Sequence, residues 1–409
     1  MRKSFSLFLA LRYLRPRRSF FSAVTVISVL GVTLGCAVLI VVLSVMTGFD
    51  EMWRDRILDF NAHVSVSRWG GEIDEPGPLM ERIRGIEGVT GAAPALEGVV
   101  FVRHRGRVFT PLLMGVDAEL EPGVSRIPES VTAGRFDPGY GEAVLGADLA
   151  SRLGVGVGEV LVVISPQSFA MEDEIMLPVE LTVSGIFDVG MYQFDAGYML
   201  TSLATAGDLY GVERGVHRVR VRTRDPYRAP EAAAEIEETL GGAYSAVTWM
   251  EQNRQLFSAL NVEKNMMFFL LIFITIVAAF GITNTLITLA VQKTHEIGLL
   301  KALGFSGGRI MRIFVWLGWM EGAAGSLLGL GLGSLILRYR NGLLRALSSR
   351  FRVELLPEEL YQLAEIPART VWTDVVAVVA LVMAICTLAG LLPAWRAARL
   401  DPVEAIRYE

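Results

Sequence analysis

The sequence has only two cysteines, Cys36 and Cys386, among its 409 residues. Both lie inside long uncharged segments, so no disulfide framework is expected in the polar part of the chain. The four histidines have no zinc-binding spacing, and the chain has neither a Gly-x-Ser-x-Gly elbow nor a Gly-x-x-x-x-Gly-Lys-Ser/Thr loop. We therefore expect no catalytic residue, no metal ligand and no nucleotide or other cofactor bound by this chain.

Charge is absent from three long stretches and nearly absent from a fourth. Residues 19–49, 265–292 and 375–395 contain no charged residue, and residues 313–337 contain only Glu321. Each stretch is long enough to cross a hydrocarbon core of about 30 Å at about 1.5 Å per residue. The mean hydropathy of +0.44 agrees with a membrane protein. The predicted transmembrane helices are 19–49, 265–291, 309–337 and 371–395.

Basic residues are concentrated in three of the segments that flank these spans. Residues 1–18 carry six Lys or Arg, residues 293–312 carry four, and residues 396–409 carry three, against four acidic residues in all three segments. By the positive-inside rule we place both termini and the segment between spans two and three in the cytoplasm. Segment 338–370 has six arginines, but the number of spans requires it to be a periplasmic loop.

The largest polar region, residues 50–264, carries 33 acidic and 19 basic residues, a net charge of −14. This excess of acid gives no reason to expect a nucleic-acid partner. Alternating apolar residues predict strands and two helical patterns interrupt them, with a third short helix. The region is predicted to be an α+β domain inserted between spans one and two. Its expected strands are 63–67, 98–102, 108–116, 160–164, 179–187 and 217–223, and its expected helices are 78–84, 147–153 and 229–240.

Segment 292–308 connects spans two and three and has the pattern of a short amphipathic helix. Ile297, Leu300 and Leu303 recur at helical spacing, charged residues interrupt them, and Gly304 stands where a helix ends. A short helix at the membrane surface can bury its apolar face only against headgroups or another protein. Residues 1–18 have a similar pattern and are predicted to form an amphipathic helix on the inner leaflet; residues 396–409 form the cytoplasmic tail.

Two further features leave alternatives open. The third span has small residues every four positions, a spacing that permits close helix packing either within the chain or in a dimer. Segment 165–178 connects two predicted strands and is either a long hairpin tip or a docking arm for a partner. Its apolar residues are Phe169, Met171, Ile175 and Met176.

Several stretches together resemble the LolC/LolE family, the membrane subunits of the bacterial lipoprotein-releasing ABC transporter. That family is a branch of the FtsX/MacB-like permeases, so the resemblance implies a MacB-like periplasmic core. The matching stretches are spread over nearly the whole chain. They include Leu43-Ser-Val-Met-x-Gly-Phe49, Glu296-Ile-Gly-Leu-Leu-Lys-Ala-Leu-Gly304, Tyr361 with Ile366-Pro367, and Asp401-Pro402-Val-Glu-Ala405.

The resemblance implies a transporter subunit of the inner membrane and not an enzyme. Two copies of a separate P-loop ATPase would bind ATP-Mg, and segment 292–308 would be the coupling helix that docks on one of them. A second permease chain, either a paralogue or another copy of this chain, would complete the assembly. The residues implied in coupling are His295, Glu296, Ile297, Leu300, Lys301, Leu303 and Gly304.

The resemblance also implies a cavity for lipoprotein acyl chains between the first and second spans of the two permeases. A lipoprotein expelled from it would pass to a soluble periplasmic carrier, for which segment 165–178 is the expected docking loop. The implied cavity residues are Val42, Val45, Met46, Phe49, Met266, Met267, Leu270 and Ile274. The alternative, that these side chains face membrane lipid, stays open, as does whether the chain is LolC-like, LolE-like or homodimeric.

Two other functions fit the sequence less well. A MacB-like efflux permease usually carries a fused N-terminal ATPase, whereas only 18 residues precede the first predicted span here, and an FtsX-like regulator has a smaller external domain. A membrane-tethered sensor or enzyme does not account for the amphipathic segment 292–308. We therefore expect the lipoprotein-releasing permease, with the efflux or regulatory permease as the alternative.

Overall fold

The computed structural model describes residues 10, 21–165, 178–351, 366–399 and 401. They belong to two compact units. A helical unit lies within residues 1–50, 259–353 and 365–409, and an α+β unit lies within residues 51–258 and 354–364. The helix expected at 1–18, most of the loop at 165–178 and most of the tail fall outside the described residues.

The described elements follow one another in this order along the chain. They are α1 (Phe21–Phe60), β1 (Val64–Arg68), α2 (Pro76–Arg84), β2 (Val89–Val99), β3 (Phe101–His104), β4 (Arg107–Phe109), β5 (Leu112–Val116), β6 (Val131–Gly134), β7 (Glu142–Gly146), α3 (Ala147–Leu153), β8 (Val160–Ile164), β9 (Val179–Phe187), α4 (Tyr192–Asp195), β10 (Tyr198–Ser202), α5 (Leu203–Tyr210), β11 (Arg218–Thr223), α6 (Ala229–Leu240), β12 (Tyr244–Thr248), α7 (Trp249–Gln252), α8 (Arg254–Gln292), α9 (Thr294–Ala302), α10 (Gly307–Phe351), α11 (Trp372–Ala389) and α12 (Leu391–Arg399).

Four helical segments among the described residues are long and apolar enough to cross a membrane. They lie in α1, α8, α10 and the α11–α12 pair, which confirms the predicted number of spans. Two of these helices continue past the predicted spans, α1 as far as Phe60 and α10 as far as Phe351. The positions at which each helix enters and leaves the membrane stay predictions.

The small residues of the third span pack against the first span of the same chain. A Cβ atom on Gly329 of α10 would lie 2.6 Å from the Cβ of Cys36 and 2.8 Å from the carbonyl oxygen of Thr33, both in α1. Glycine therefore allows a helix approach that a side chain would prevent. The same arrangement pairs Gly325 with Val32 and Gly333 with Ile40. Of the two alternatives left by the sequence, packing within the chain is observed.

The α+β unit is built on one mixed sheet of 12 strands. Its strand order is β12-β1-β11-β2-β5-β10-β7-β9-β8-β3-β4, and β6 pairs with β9 beside this path. The pairs β5–β10 and β7–β9 are parallel, and the remaining neighbours are antiparallel. Helices and sheet together form the α+β domain that the sequence predicts.

Two of the predicted strands are wrong, because each is interrupted at a point where the chain begins to pair with different strands. Segment 98–102 is divided at Val100, since β2 pairs with β5 and β11 whereas β3 pairs with β8 and β4. Segment 108–116 is divided at Pro111, whose carbonyl accepts the N–H of Val100 at 3.0 Å. The predicted strands 160–164 and 179–187 and the helices 147–153 and 229–240 have the observed bounds.

The core of the α+β unit includes the last turns of α1. Phe60 stacks on Phe194 with ring centroids 4.2 Å apart and meets Tyr198 edge-on at 4.6 Å. One ion pair is fully buried nearby, with Arg220 Nη1 at 2.5 Å from Glu121 Oε1 and Arg220 Nη2 donating to the Phe60 carbonyl at 2.9 Å. These bonds satisfy a guanidinium that would otherwise be costly to bury.

The buried His63 makes the stability of the α+β unit depend on pH. Its Nδ1 accepts the N–H of Thr223 at 3.1 Å, and burial, aided by Arg222, lowers the pKa of His63 to about 4. The unfolded chain binds this proton at a pKa near 6.5, so the stabilisation present at pH 7 is lost as pH falls. We expect His63 to lower the free energy of unfolding by about 2 kcal/mol between pH 7 and pH 5, against an opposite contribution from Asp195, whose pKa burial raises to about 6.

The measurement is the urea midpoint of the detergent-solubilised full chain, followed by proteolysis of the α+β unit at both pH values. His63→Gln should lose less stability between pH 7 and pH 5 than wild type does, while the exposed His295→Gln should behave as wild type. An equal acid shift in wild type and His63→Gln would show that another group is responsible.

The glycine contacts between α1 and α10 give a second prediction. Gly329→Leu forces side-chain atoms into the α1 backbone, so the helical unit should lose about 1–3 kcal/mol or more of stability. Gly331→Leu is the matched control, because nothing lies within 4 Å of its Cβ position. Thermal aggregation in detergent should occur at a lower temperature only for Gly329→Leu, and equal midpoints for the two variants would contradict the packing.

Candidate functional site

The predicted coupling helix is a separate short helix between two long ones. The helix α8 ends at Gln292, Lys293 departs from helical geometry, and α9 then runs from Thr294 to Ala302. Lys293 forms an ion pair with Glu296 in the first turn. Gly304 has φ of +89°, a left-handed conformation that favours glycine and ends the helix as the sequence predicts.

One face of α9 belongs to the core of the helical unit. Ile297 is 1% exposed and lies in the same buried cluster as Ile310 and Phe314 of α10. Leu300 and Lys301 are half-buried. Ile297 therefore anchors α9 in the buried cluster of the helical unit, and this side chain is not part of a free surface.

The opposite face of α9 carries exposed apolar side chains. Leu299 is 50% exposed and Leu303 is 71% exposed, and they follow His295 at intervals of four residues. Glu296 and Gly304 are exposed beside them. Leu299 is absent from the residues that the resemblance singled out, although the four-residue spacing from His295 to Leu303 is visible in the sequence. Two leucines presented in this way are typical of a surface that another protein covers.

The predicted cavity residues lie in two sets on two helices. On α1, Val42, Val45, Met46 and Phe49 are half-buried and lie away from the row that packs on α10. On α8, Met267 is half-buried, whereas Met266, Leu270 and Ile274 are exposed at intervals of four residues and form one stripe. One set therefore lies on α1 and the other on α8. A cavity lined by both sets stays a prediction.

The helix α8 differs along its length. Its large side chains from Val262 to Phe280 are mostly exposed, including Phe269 and Phe273. Burial becomes regular only at Ile282, Leu286 and Ala290, and Thr283 Oγ1 there donates to the Ala389 carbonyl at 3.2 Å. Exposed apolar residues on several faces of one helix are typical of contact with lipid or with another membrane chain.

Glu321 is the one charged residue between Ile313 and Leu337. Its side chain is buried between helices and accepts a hydrogen bond from Ser28 Oγ of α1 at 3.3 Å. An acidic group within a membrane helix is costly unless it faces protein or water, and here it faces α1. The bond adds a polar contact to the glycine-lined packing of α1 on α10.

The residues of the predicted carrier-docking loop cannot be placed. Phe169, Met171, Ile175 and Met176 fall outside the described residues, and the flanking strands β8 and β9 pair antiparallel. Within the described ranges, no group of three or more His, Cys, Asp or Glu could hold a metal ion.

Two family models match the chain. The MacB-like periplasmic core domain matches residues 25–239, and the FtsX-like permease C-terminal domain matches residues 268–402. The first covers α1 and most of the α+β unit, and the second covers the predicted coupling helix and the last two spans. The MacB-like periplasmic core that the resemblance implies is thereby confirmed.

Full-length relatives agree with these models. The chain is 33% identical to the lipoprotein-releasing system transmembrane protein LolC of Xylella fastidiosa over 99% of both chains. It is 30% identical to the protein of the same name from Neisseria meningitidis, over 99% of this chain and 100% of that one. Identity to the lipoprotein-releasing system transmembrane protein LolE of Haemophilus influenzae is 26%, over 98% of both chains. The chain therefore belongs to the LolC/LolE family of lipoprotein-releasing system transmembrane proteins.

Proposed function

We propose that this chain is the permease subunit of an ABC transporter that extracts lipoproteins from the bacterial inner membrane and passes them to a periplasmic carrier. The observation that supports this most strongly is the 33% identity to a lipoprotein-releasing system protein over 99% of the chain. The four candidate spans and the inserted α+β domain are the parts that such a subunit needs.

The energy is proposed to come from a separate P-loop ATPase, present in two copies, which binds ATP-Mg. The exposed face of α9, with His295, Glu296, Leu299 and Leu303, supports this docking because it offers two leucines among polar residues. Ile297 joins α9 to the buried cluster of α10. A displacement of α9 by the ATPase would therefore move α10 as well, since packed interiors transmit displacement. This chain itself is proposed to hold no cofactor.

The substrate site is proposed to lie between the helix faces of α1 and α8 that carry the two predicted sets. Methionine and phenylalanine side chains, such as Met46, Phe49 and Met266, adapt to acyl chains of different shape. A second permease chain, a paralogue or another copy of this one, would supply the facing walls. Closure of the ATPases would then narrow the cavity and expel the lipoprotein.

The topology is proposed to follow the distribution of basic residues, with both termini in the cytoplasm and the boundaries given above for each segment. The loop at 165–178 would then be periplasmic, where Phe169, Met171, Ile175 and Met176 would contact the carrier. Exposed apolar residues on such a loop are costly unless a partner covers them.

A related efflux or regulatory permease is the alternative function. The two matching family models, named for MacB and FtsX, are compatible with it because they describe parts that the wider superfamily shares. The two functions differ in what enters the membrane cavity, and labelling of a lipoprotein from within the cavity separates them.

The exposed face of α9 gives the first prediction of this function. Leu299→Asp and Leu303→Asp place a charge in the proposed interface, so co-purification with the proposed P-loop ATPase partner should fall at least about tenfold. Ile297→Val is the control: it shortens a buried side chain, should cost about 1 kcal/mol of stability and should leave binding intact. Wild-type binding by both aspartate variants would contradict the assigned face.

The cavity gives the second prediction. A photoreactive amino acid at Met46 or Met266 should cross-link an acylated lipoprotein in membranes before ATP is added, and ATP should reduce the product. Leu34 of α1 is the matched control, because it is exposed on the same helix but outside the predicted set. Equal lipoprotein cross-linking from Leu34 and Met46 would mean that the residues face bulk lipid, and none from either would favour the alternative permease.

A further inference from the structure

The non-helical segment 366–371, which leads into α11, is held on one side by α10. Arg340 Nε donates to the carbonyl of Ile366 at 2.6 Å, and Asn341 Oδ1 accepts the N–H of Ile366 at 3.2 Å. The backbone N–H and carbonyl of Ile366 are therefore both hydrogen-bonded to side chains of α10. The next residue, Pro367, has no N–H and favours an extended conformation at Ile366.

The other side of the same segment is held by α1. The N–H of Arg369 donates to the Ser44 carbonyl at 2.8 Å, and Ser44 Oγ lies 3.3 Å from Thr370 Oγ1. A Cβ atom on Gly48 would lie 2.6 Å from the backbone nitrogen and Cα of Ala368. Only glycine fits there, because the obstructing atoms are backbone and not the end of a flexible side chain.

The two stretches that meet here are distant in sequence. Ser44 and Gly48 belong to the Leu43–Phe49 stretch after the first span, and Ile366-Pro367 belongs to the loop before the fourth. Both belong to the stretches that resemble the LolC/LolE family, and docking of an ATPase explains neither of them. Their contact gives them a shared physical role.

That role follows from helix geometry. Ser44 and Gly48 occupy one face of α1, and at about 100° per residue Met46 lies on the opposite face. Val42 and Phe49 are on the same side as Met46, whereas Val45 lies about 100° from Met46 and packs against the buried cluster of the helical unit. A transmembrane helix with lipid on its free sides has little to fix its rotation, since lipid is as apolar as the side chains. Contacts at Ser44 and Gly48 supply such a restraint.

We propose that segment 366–371 is a permanent clasp between α1 and α10, and that Ser44, Gly48 and Thr370 are positioning residues. They fix the rotation of α1 and so direct Met46 and Phe49 toward the acyl chains of the lipoprotein. This inference rests on the proposed function for the identity of the substrate. The clasp itself rests on the contacts above.

A disulfide tests whether the clasp is permanent. Ser44→Cys with Thr370→Cys, in a chain that also carries Cys36→Ala and Cys386→Ala, joins α1 to the clasp when oxidised. The complex with its ATPase, in proteoliposomes holding a lipoprotein labelled on its acyl chains, should release it no more slowly in the oxidised form than in the reduced form, because the disulfide replaces the contact between Ser44 and Thr370. The disulfide should also form at the same rate with and without ATP.

Two results separate the clasp from the proposed function. A tenfold loss of release on oxidation that dithiothreitol restores, or disulfide formation that ATP slows, would show that the clasp opens during the cycle and would overturn the inference. Absence of release from the wild-type complex as well would count against the proposed function, while the disulfide rates would still decide the clasp.

The positioning role has its own test. Gly48→Val should reduce photocross-linking of the lipoprotein from Met46 at least fivefold without changing co-purification with the ATPase. Gly31→Val is the control, because its Cβ position on α1 meets nothing within 4 Å. The double variant Ser44→Ala with Thr370→Val, which keeps the volume nearly constant, serves if Gly48→Val does not insert. Unchanged cross-linking from Met46 in these variants would contradict the inference.

Discussion

The helical unit depends on the close approach of α1 to α10 and the segment that follows it. One row of α1, with a residue at every fourth position, makes these contacts. The row is Ser28, Val32, Cys36, Ile40, Ser44 and Gly48. In lipid the hydrophobic effect does not drive helices together, so backbone proximity and polar contacts have to do so. Glycines of α10 provide the first, and Glu321 and the 366–371 segment provide the second.

The membrane architecture could be predicted from the sequence because its signal is an absence of charge over about 20 residues or more, which few other structures tolerate. The α+β unit was predicted in class but not in detail. Strands β7 and β10 are buried at nearly every position and so show no alternation, whereas β8, which is equally short, alternates and was predicted. The breaks at Val100 and Pro111 depend on which strands lie alongside, and this is a property of the fold.

The candidate site was predictable in position and less so in orientation. The short helix and its terminal Gly304 follow from local sequence, but the apolar spacing that begins at Ile297 identifies the face that packs on α10. The spacing of His295, Leu299 and Leu303 is visible in the sequence, but that this face is the exposed one follows only from the structure. The contact of Gly48 with Ala368 could not be foreseen, because more than 300 residues separate the two and no local pattern relates them.

Depletion of this chain in its cell of origin tests most directly whether it moves lipoproteins out of the inner membrane. After depletion, membranes would be separated by density and mature lipoproteins quantified in each fraction. We expect lipoproteins destined for the outer membrane to accumulate in the inner membrane before growth stops. Normal sorting of these lipoproteins in depleted cells would contradict it.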